Sequence, residues 1–297
     1  MSNDTINKKV ALTLSSGGAR GMAHIGAIEA LMENGYEITS VSGCSIGSLI
    51  GGIYAAGKIH EARDWFCSLD KQQILSLTDI SLGLSHIVKG ERVLDAIKEW
   101  VPDRDIESLP IPAAFVATDL INSRPVIFRS GSLFDAIRAS ISIPLCFTPV
   151  HYQDTLLVDG GLVNPFPLDI VERTEGDILA GVNISDRTRM DVDWNLPEKP
   201  MAVKKINKVS ELWDKMSDDI KTSTIAPQIN ALSLINRMID IQIQANSALL
   251  ANLYKPDLLV NIPQDAYTTF DFDKAEEIID LGHELMLQQI NALANIR

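Results

Sequence analysis

The chain has 297 residues, of which 46% are hydrophobic, enough for one large α/β domain with a sizeable core, with or without a helical appendage. Its 26 basic and 39 acidic residues give a formal net charge of -13, which argues against a nucleic-acid partner and gives no overall attraction to anionic lipid. Three cysteines at irregular spacing predict neither a disulfide framework nor a zinc site. This pattern is typical of a protein in the reducing environment of the cytoplasm.

Predicted strands and helices alternate along most of the chain. Runs of apolar residues predict strands at 10–14, 38–42, 112–119, 125–129, 156–159, 178–184 and 257–262. Apolar residues at helical spacing predict helices at 22–32, 48–56, 60–69, 91–100, 133–140 and 273–293, whereas 71–90 gives no firm prediction. This alternation is typical of an open α/β sheet.

The first strand and the first helix are joined by a glycine-rich loop, residues 15–21, with the sequence SSGGARG. Such a loop directs several unpaired backbone N–H groups at one point, which suits a negatively charged oxygen. A dinucleotide fingerprint is disfavoured because Ser16 replaces its first glycine, and the Gly-Lys-Ser/Thr ending of a P-loop is missing. The loop favours an oxyanion hole, with Gly18 and Ala19 as N–H donors.

Arg20 in this loop has two interpretations. It either supplies fixed positive charge to the oxyanion hole or anchors the loop, and a salt bridge within the packing of the loop is the alternative. The residue types alone leave both interpretations open.

A second motif, Gly43-Cys44-Ser45-Ile46-Gly47, lies between a predicted strand and a predicted helix. Gly-x-Ser-x-Gly in this position is the signature of a nucleophile elbow, a strained turn that presents a serine hydroxyl at the end of a sheet. Gly43 and Gly47 suit such a turn because the strand and the helix approach each other closely there. The motif predicts Ser45 as a nucleophile.

Asp159 ends the predicted strand 156–159 and stands directly before Gly160 and Gly161. Open α/β sheets gather functional groups at the carboxyl ends of their strands, so Asp159 is a second candidate site residue. The alternative is a turn aspartate that hydrogen-bonds its own backbone, which is the more common role of Asp-Gly.

The chain changes character at Asp186, where charged and proline-containing residues begin. A small basic cluster follows at Lys199, Lys204, Lys205 and Lys208. Beyond it, apolar residues at helical spacing predict an amphipathic helix over 225–250. For this helix, packing against the core is favoured over a membrane or partner surface.

Taken in order, the loop 17–21, the elbow 43–47 and Asp159-Gly160-Gly161 resemble the patatin-like phospholipase family, and especially its bacterial branch related to neuropathy target esterase. The resemblance runs from about residue 10 to about residue 183 and includes the segment RASISIP at 138–144. It implies a three-layer α/β/α sandwich with a helical C-terminal region. The expected division is a catalytic core at 8–185 and a mostly helical region at 186–297 that packs on or completes the core.

The resemblance also implies a Ser-Asp dyad without histidine, in which Ser45 is the nucleophile and Asp159 its general base. The implied oxyanion hole is formed by Gly17, Gly18, Ala19, Arg20 and Gly21. Aspartate is a poor base in water and a better one when it is desolvated, so this assignment requires a dry site. No metal and no organic cofactor is expected.

These residues predict a serine acyl hydrolase that cleaves carboxyl esters of lipids, such as phospholipids or lysophospholipids, through an acyl-enzyme. One alternative is an acyltransferase that uses the same dyad, and another is a non-enzymatic regulatory protein that retains the fold. A Ser-Asp-His triad of the α/β-hydrolase type, with Asp159 and His283, is disfavoured because only one strand and one helix precede the elbow.

No apolar stretch approaches the ~20 residues of a membrane span, and we expect a soluble cytoplasmic protein. A lipid substrate implies peripheral contact with the inner membrane surface. Because the net charge is negative, that contact would depend on a local patch. The lysines at 199–208 and the helix at 225–250 are the candidates.

Overall fold

The structure is a computed structural model that describes residues 8–78, 91–144, 146–186, 231–264, 266–268 and 271–296. Its centre is an eight-stranded sheet made of β1 (Lys9–Leu14), β2 (Glu37–Cys44), β3 (Ala113–Asp119), β4 (Arg124–Phe128), β5 (Val150–Tyr152), β6 (Thr155–Asp159), β7 (Ile178–Asp186) and β8 (Leu258–Pro263). The spatial order is β5-β6-β3-β2-β1-β7-β8, with β4 paired to β3. Strands β3, β2, β1, β7 and β8 are parallel, whereas β4 and β6 run antiparallel to β3 and β5 runs antiparallel to β6.

The helices of the described residues are α1 (Met22–Glu33), α2 (Ile46–Ala55), α3 (Ile59–Ser68), α4 (Lys71–Thr78), α5 (Glu91–Lys98), α6 (Leu133–Ser140), α7 (Ala231–Tyr254) and α8 (Ala275–Ile296). The predicted strands and helices are present with ends that shift by a few residues. Two elements were not predicted: α4 lies in the stretch without a firm prediction, and β5 is too short to leave a clear pattern.

The sheet has apolar packing on both faces. Successive side chains of a strand point to opposite faces, and accordingly Val10 and Leu12 belong to the large core shared with α1, α2, α6 and α8, while Ala11 belongs to a second cluster. Leu250 and Ala251 of α7 pack against that second cluster. The predicted α/β/α sandwich is therefore confirmed.

Strand β3 brings two distant parts of the chain together. Val116 pairs with both Ile127 of β4 and Cys44 of β2, and Ala117 pairs with both β4 and Asp159 of β6. Since β4 occupies one edge of β3, β2 and β6 share the other edge and meet end to end there. The last residue of β2 and the last residue of β6 thus lie side by side.

Helix α7 differs from the expectation of simple core packing. Ile239 and Ile243 face a cavity described below, but Ile235, Met238 and Ile241 are 42%, 61% and 50% exposed. In the second half of α7, Ser247 is fully buried and Leu250 and Ala251 pack against the sheet, while Leu249 and Leu253 are exposed. The start of the predicted helix at 225–230 and the lysine cluster at 199–208 lie outside the described residues.

The C-terminal part of the chain contributes to the same sheet. Strand β8 extends it by parallel pairing with β7, and α8 packs along α1. The division of the chain at residue 186 stays a prediction. Over the ranges given above, none of the helices combines the length and apolar character needed to cross a membrane.

Candidate active site

Ser45 stands at the turn between β2 and α2, with backbone angles φ 55° and ψ -123°, and it is 3% exposed. This conformation is strained for a residue with a Cβ atom. The turn is tight: a Cβ atom on Gly43 would lie 2.3 Å from the carbonyl oxygen of Gly47, and one on Gly47 would lie 2.3 Å from that of Leu14. Both positions therefore require glycine, as in a nucleophile elbow.

The Ser45 hydroxyl donates a hydrogen bond to Oδ2 of Asp159. The other carboxylate oxygen, Oδ1, accepts a hydrogen bond of 2.7 Å from the backbone N–H of Gly161. Burial raises the pKa of Asp159 to about 6, although the bonds from Ser45 and Gly161 act in the opposite direction. The carboxylate is thus desolvated, which makes it a stronger base than an aspartate in water.

The glycine-rich loop lies beside this pair. Gly17, Gly18 and Arg20 line the same cavity as Ser45 and Asp159. Ala19 and Gly21 are buried in the short 3-10 turn Gly18–Gly21 that leads into α1. The loop and the dyad therefore face one common space.

Arg20 is 2% exposed and bonds within the protein. Its Nε donates to the carbonyl oxygen of Gly17 at 3.1 Å, and its Nη1 donates to that of Gln264 at 2.7 Å. These bonds tie the loop to itself and to the segment after β8, so the structure agrees with the anchoring interpretation. The positive charge also lowers the pKa of Asp240 on α7, although burial raises that pKa by more.

The cavity at the dyad has a volume of about 470 Å³, within the range of small-molecule sites. Its walls are largely apolar and come from α2 to α5, from α7 and from the segment after α6, with side chains such as Leu49, Trp65, Phe66, Ile143, Phe147 and Ile239. The charged residues that line it within the described ranges are Arg20, Asp159 and Asp240. Such a cavity suits an apolar chain whose reactive end lies at Ser45.

Comparison with known proteins identifies the chain. The sequence profile of the patatin-like phospholipase family matches residues 12–171, which is more than half of the 297 residues. The chain belongs to this family. The matched range contains the glycine-rich loop, Ser45 and Asp159.

Individual relatives agree with this patatin-like identity. An NTE family protein of Mycobacterium tuberculosis H37Rv is 32% identical in an alignment that covers 96% of this chain and 92% of the relative. The human patatin-like phospholipase domain-containing protein 6 is 28% identical over 288 residues, which cover 93% of this chain and 20% of that protein. The crystal structure of VipD from Legionella pneumophila, at 15% identity, matches the fold with a TM-score of 0.50, covering 97% of this chain and 67% of the other.

Among the residues that the structure describes, neither His283 nor His24 of this patatin-like chain forms a triad with Ser45 and Asp159. His283 on α8 is hydrogen-bonded to Glu33 at 2.8 Å and does not line the cavity. His24 on α1 is fully buried and bonds through Nε2 to the carbonyl oxygen of Ser15 at 2.9 Å. Burial lowers the pKa of His24 to about 4, so it is neutral at pH 7 and holds the start of the glycine-rich loop.

Two cysteines lie close to the dyad. Cys44 is fully buried, and Cys146 lines the cavity. Burial raises the pKa of both thiols, and the charge of Asp159 raises it further. Both residues therefore remain protonated at neutral pH, which argues against a thiolate nucleophile in this patatin-like site.

Two residues that the sequence motifs did not single out bond to the backbone of the dyad. The backbone N–H of Asp159 donates to the carbonyl oxygen of Ser142 at 2.9 Å, and the backbone N–H of Ser45 donates to the Ser140 hydroxyl at 2.9 Å. Both partners belong to the segment 138–144, which is part of the patatin-like resemblance. The signal that could have found them is the pair of closely spaced serines at the C-terminal end of α6, Ser140 and Ser142.

Proposed function

We propose that this protein is a serine acyl hydrolase that cleaves carboxyl esters of lipids through a Ser45–Asp159 dyad. Membership of the patatin-like phospholipase family supports a lipid ester as the substrate. The observation that carries the proposal is the direct contact between the Ser45 hydroxyl and the buried Asp159 carboxylate at the end of an apolar cavity. This is the arrangement that an activated serine requires.

In the proposed reaction, Ser45 Oγ attacks the ester carbonyl carbon while its proton moves to Asp159 Oδ2. The tetrahedral intermediate collapses, the C–O bond to the alcohol breaks, and Asp159 returns the proton to the departing alkoxide oxygen. An acyl-enzyme remains. Water then attacks it, with Asp159 again taking the proton and passing it to Ser45 Oγ as the fatty acid leaves.

The negative charge on the carbonyl oxygen needs N–H donors, and we assign them to the loop Gly17–Gly21. The N–H of Ser45 itself is bonded to Ser140, so it is not free to serve as a donor. Positive fixed charge also comes from the N-terminal end of α2, which begins directly after Ser45.

The substrate class follows from the cavity. Its apolar walls suit an acyl chain, with a phospholipid or a lysophospholipid as the source of the ester. Arg20 and Asp240, the other charged residues that the described part of the chain contributes to the lining, supply polar groups beside the acyl site. No metal or organic cofactor has a step in the proposed reaction.

Contact with a lipid surface would be made by the first half of α7. Exposed side chains there, Leu234, Ile235, Met238 and Ile241, lie on the helix that also supplies Ile239 and Ile243 to the cavity. An apolar face next to the substrate cavity lets a lipid move from the membrane to Ser45 with little exposure to water.

The test is hydrolysis of p-nitrophenyl esters of graded chain length and of lysophospholipids, together with labelling by a fluorophosphonate. Wild type should turn over and take up one label per chain, and Ser45→Ala and Asp159→Asn, each verified as folded, should lose activity by several orders of magnitude. An Asp159→Asn variant with near wild-type activity would contradict the dyad.

The alternatives give different results in the same experiment. An acyltransferase would label normally and form new esters when an alcohol acceptor is added. A non-enzymatic protein would neither label nor hydrolyse any ester.

A further inference from the structure

The hydroxyl of Ser140 lies behind the nucleophile and is fully buried. It donates to the carbonyl oxygen of Val116 at 2.5 Å, and it accepts from the backbone N–H of Ser45 at 2.9 Å. A third bond joins it to the hydroxyl of Ser48 at 2.7 Å. Because a carbonyl oxygen can only accept, the single proton of Ser140 goes to Val116, and Ser48 must be the donor in its bond to Ser140.

This set of bonds leaves the Ser140 hydroxyl no free capacity, since a hydroxyl has one proton and two lone pairs. Its orientation is therefore unique. Its partner Val116 is also the residue with which Cys44 pairs, and the next residue, Ala117, pairs with Asp159. Ser140 thus connects the nucleophile turn to the strand on which the dyad is assembled.

We infer that Ser140 is a positioning residue for the reaction: its hydroxyl fixes the backbone of Ser45 so that Oγ points at Asp159. Ser45 has a strained backbone, and such a conformation persists only where the surroundings fix it. The bond from the Ser45 N–H to Ser140 does so directly. The inference rests on the proposed function of Ser45 as a nucleophile.

The neighbouring turn completes the arrangement. The carbonyl oxygen of Ser142 accepts from the N–H of Asp159, and the Ser142 hydroxyl accepts from Arg138 Nη1 at 2.7 Å. Ser140 and Ser142 therefore hold both members of the dyad: the side chain of Ser140 bonds to Ser45, and the main chain of Ser142 bonds to Asp159. Reaction geometry is sensitive to displacements of about 1 Å, so loss of one such bond should slow the chemical step.

The experiment compares Ser140→Ala with Ser132→Ala, a matched control at the opposite end of α6. Ser132 caps the N-terminus of α6 by accepting from the N–H of Asp135 at 3.0 Å, and it does not line the cavity. Both variants are titrated with a fluorophosphonate, and we measure kcat per labelled site, KM for a p-nitrophenyl ester, and the rate constant of labelling.

We expect Ser140→Ala to lower kcat per site and the labelling rate constant about 10- to 100-fold, with KM changed less than about threefold. Ser132→Ala should keep both per-site constants within about twofold while lowering the Tm. A merely structural Ser140 would instead reduce the fraction of sites that label and leave the per-site constants unchanged, and that result would overturn the inference.

A second variant decides the matter if Ser140→Ala does not fold. Ser48→Ala removes one bond that orients the Ser140 hydroxyl and leaves those to Ser45 and Val116, so a loss of about 2- to 10-fold in the same constants is expected. If Ser48→Ala then keeps wild-type constants, the inference is wrong.

Failure of the proposed function gives a separate result. A wild type that labels but hydrolyses no ester would refute the ester hydrolase, and the labelling rates would still decide the role of Ser140. A wild type that does not label would refute both.

Discussion

Ser45 and Asp159 are in hydrogen-bond contact although 114 residues separate them. They meet because β2 and β6 run in opposite directions along the same edge of β3, with Cys44 opposite Val116 and Asp159 opposite Ala117. The distance between nucleophile and base is therefore set by the register of one strand, a rigid element. A substitution that shifts this register would separate the two side chains.

The activity should depend on pH through Asp159. The base must be ionised to take the proton of Ser45, and its pKa is about 6 because it is buried. We expect kcat/KM to rise with pH, with an inflection near pH 6 and a plateau above about pH 7. The measurement is a pH profile of ester hydrolysis by wild type and by His24→Gln. If the inflection disappears in His24→Gln, the titrating group is His24 and the assignment to Asp159 is wrong.

Asp159→Asn should be more stable than wild type at alkaline pH. The folded-state pKa of Asp159 lies above its unfolded value of about 3.9, so ionisation of the folded protein costs stability as the pH rises through about 6. The difference of roughly two pKa units corresponds to on the order of 2–3 kcal/mol at pH 8. Urea unfolding at pH 8 and pH 4 measures it, and an equal difference at both values would contradict the electrostatic explanation.

His24 should limit stability in acid. Its folded-state pKa is about 4, below the unfolded value of about 6.5, so the unfolded chain binds a proton first as the pH falls from 6.5 to 4. Wild type should lose on the order of 3 kcal/mol over this window because of His24. His24→Gln, which keeps a donor for the carbonyl oxygen of Ser15, should lose less. Parallel curves of unfolding free energy against pH for both proteins would show the prediction to be wrong.

Gly47→Ala should disrupt the elbow. The added Cβ atom would lie 2.3 Å from the carbonyl oxygen of Leu14, which is backbone and cannot move aside, so we expect a loss of about 3 kcal/mol or more and no detectable activity. Gly57→Ala is the matched control, because Gly57 has φ +76° but nothing within 4 Å of its added Cβ. It should cost only about 1–2 kcal/mol and keep the activity per folded site.

Membrane binding should depend on the first half of α7. The double variant Met238→Glu, Ile241→Glu places two charges on side chains that are 61% and 50% exposed, so the fold should remain intact. We expect vesicle flotation to fall at least about tenfold, by loss of apolar insertion. Leu253→Glu, roughly 20 Å further along the helix, is the control. Equal flotation of wild type and the double variant would exclude this surface.

The local order of strands and helices was accessible from the sequence, because each element has its own apolar period. The loop at 17–21, the elbow around Ser45 and the Asp159-Gly160-Gly161 turn were also recognisable, since tight turns need glycine at fixed positions. The short strand β5 and helix α4 have too few residues to establish a period. The exposure of α7 was not predictable, because a stripe of apolar residues does not indicate which part of the protein packs against it.

The sequence by itself therefore determined the types of residue available for catalysis and the turns that carry them. Only the tertiary structure decided that β2 and β6 share an edge of β3. It also decided that Arg20 donates a hydrogen bond to Gln264 and that Ser140 accepts one from the N–H of Ser45. The two hydrogen bonds join residues that are 95 and 244 positions apart. Hydrophobic periodicity and turn chemistry act over a few residues, whereas strand register and buried hydrogen bonds are set by the packing of the whole sheet.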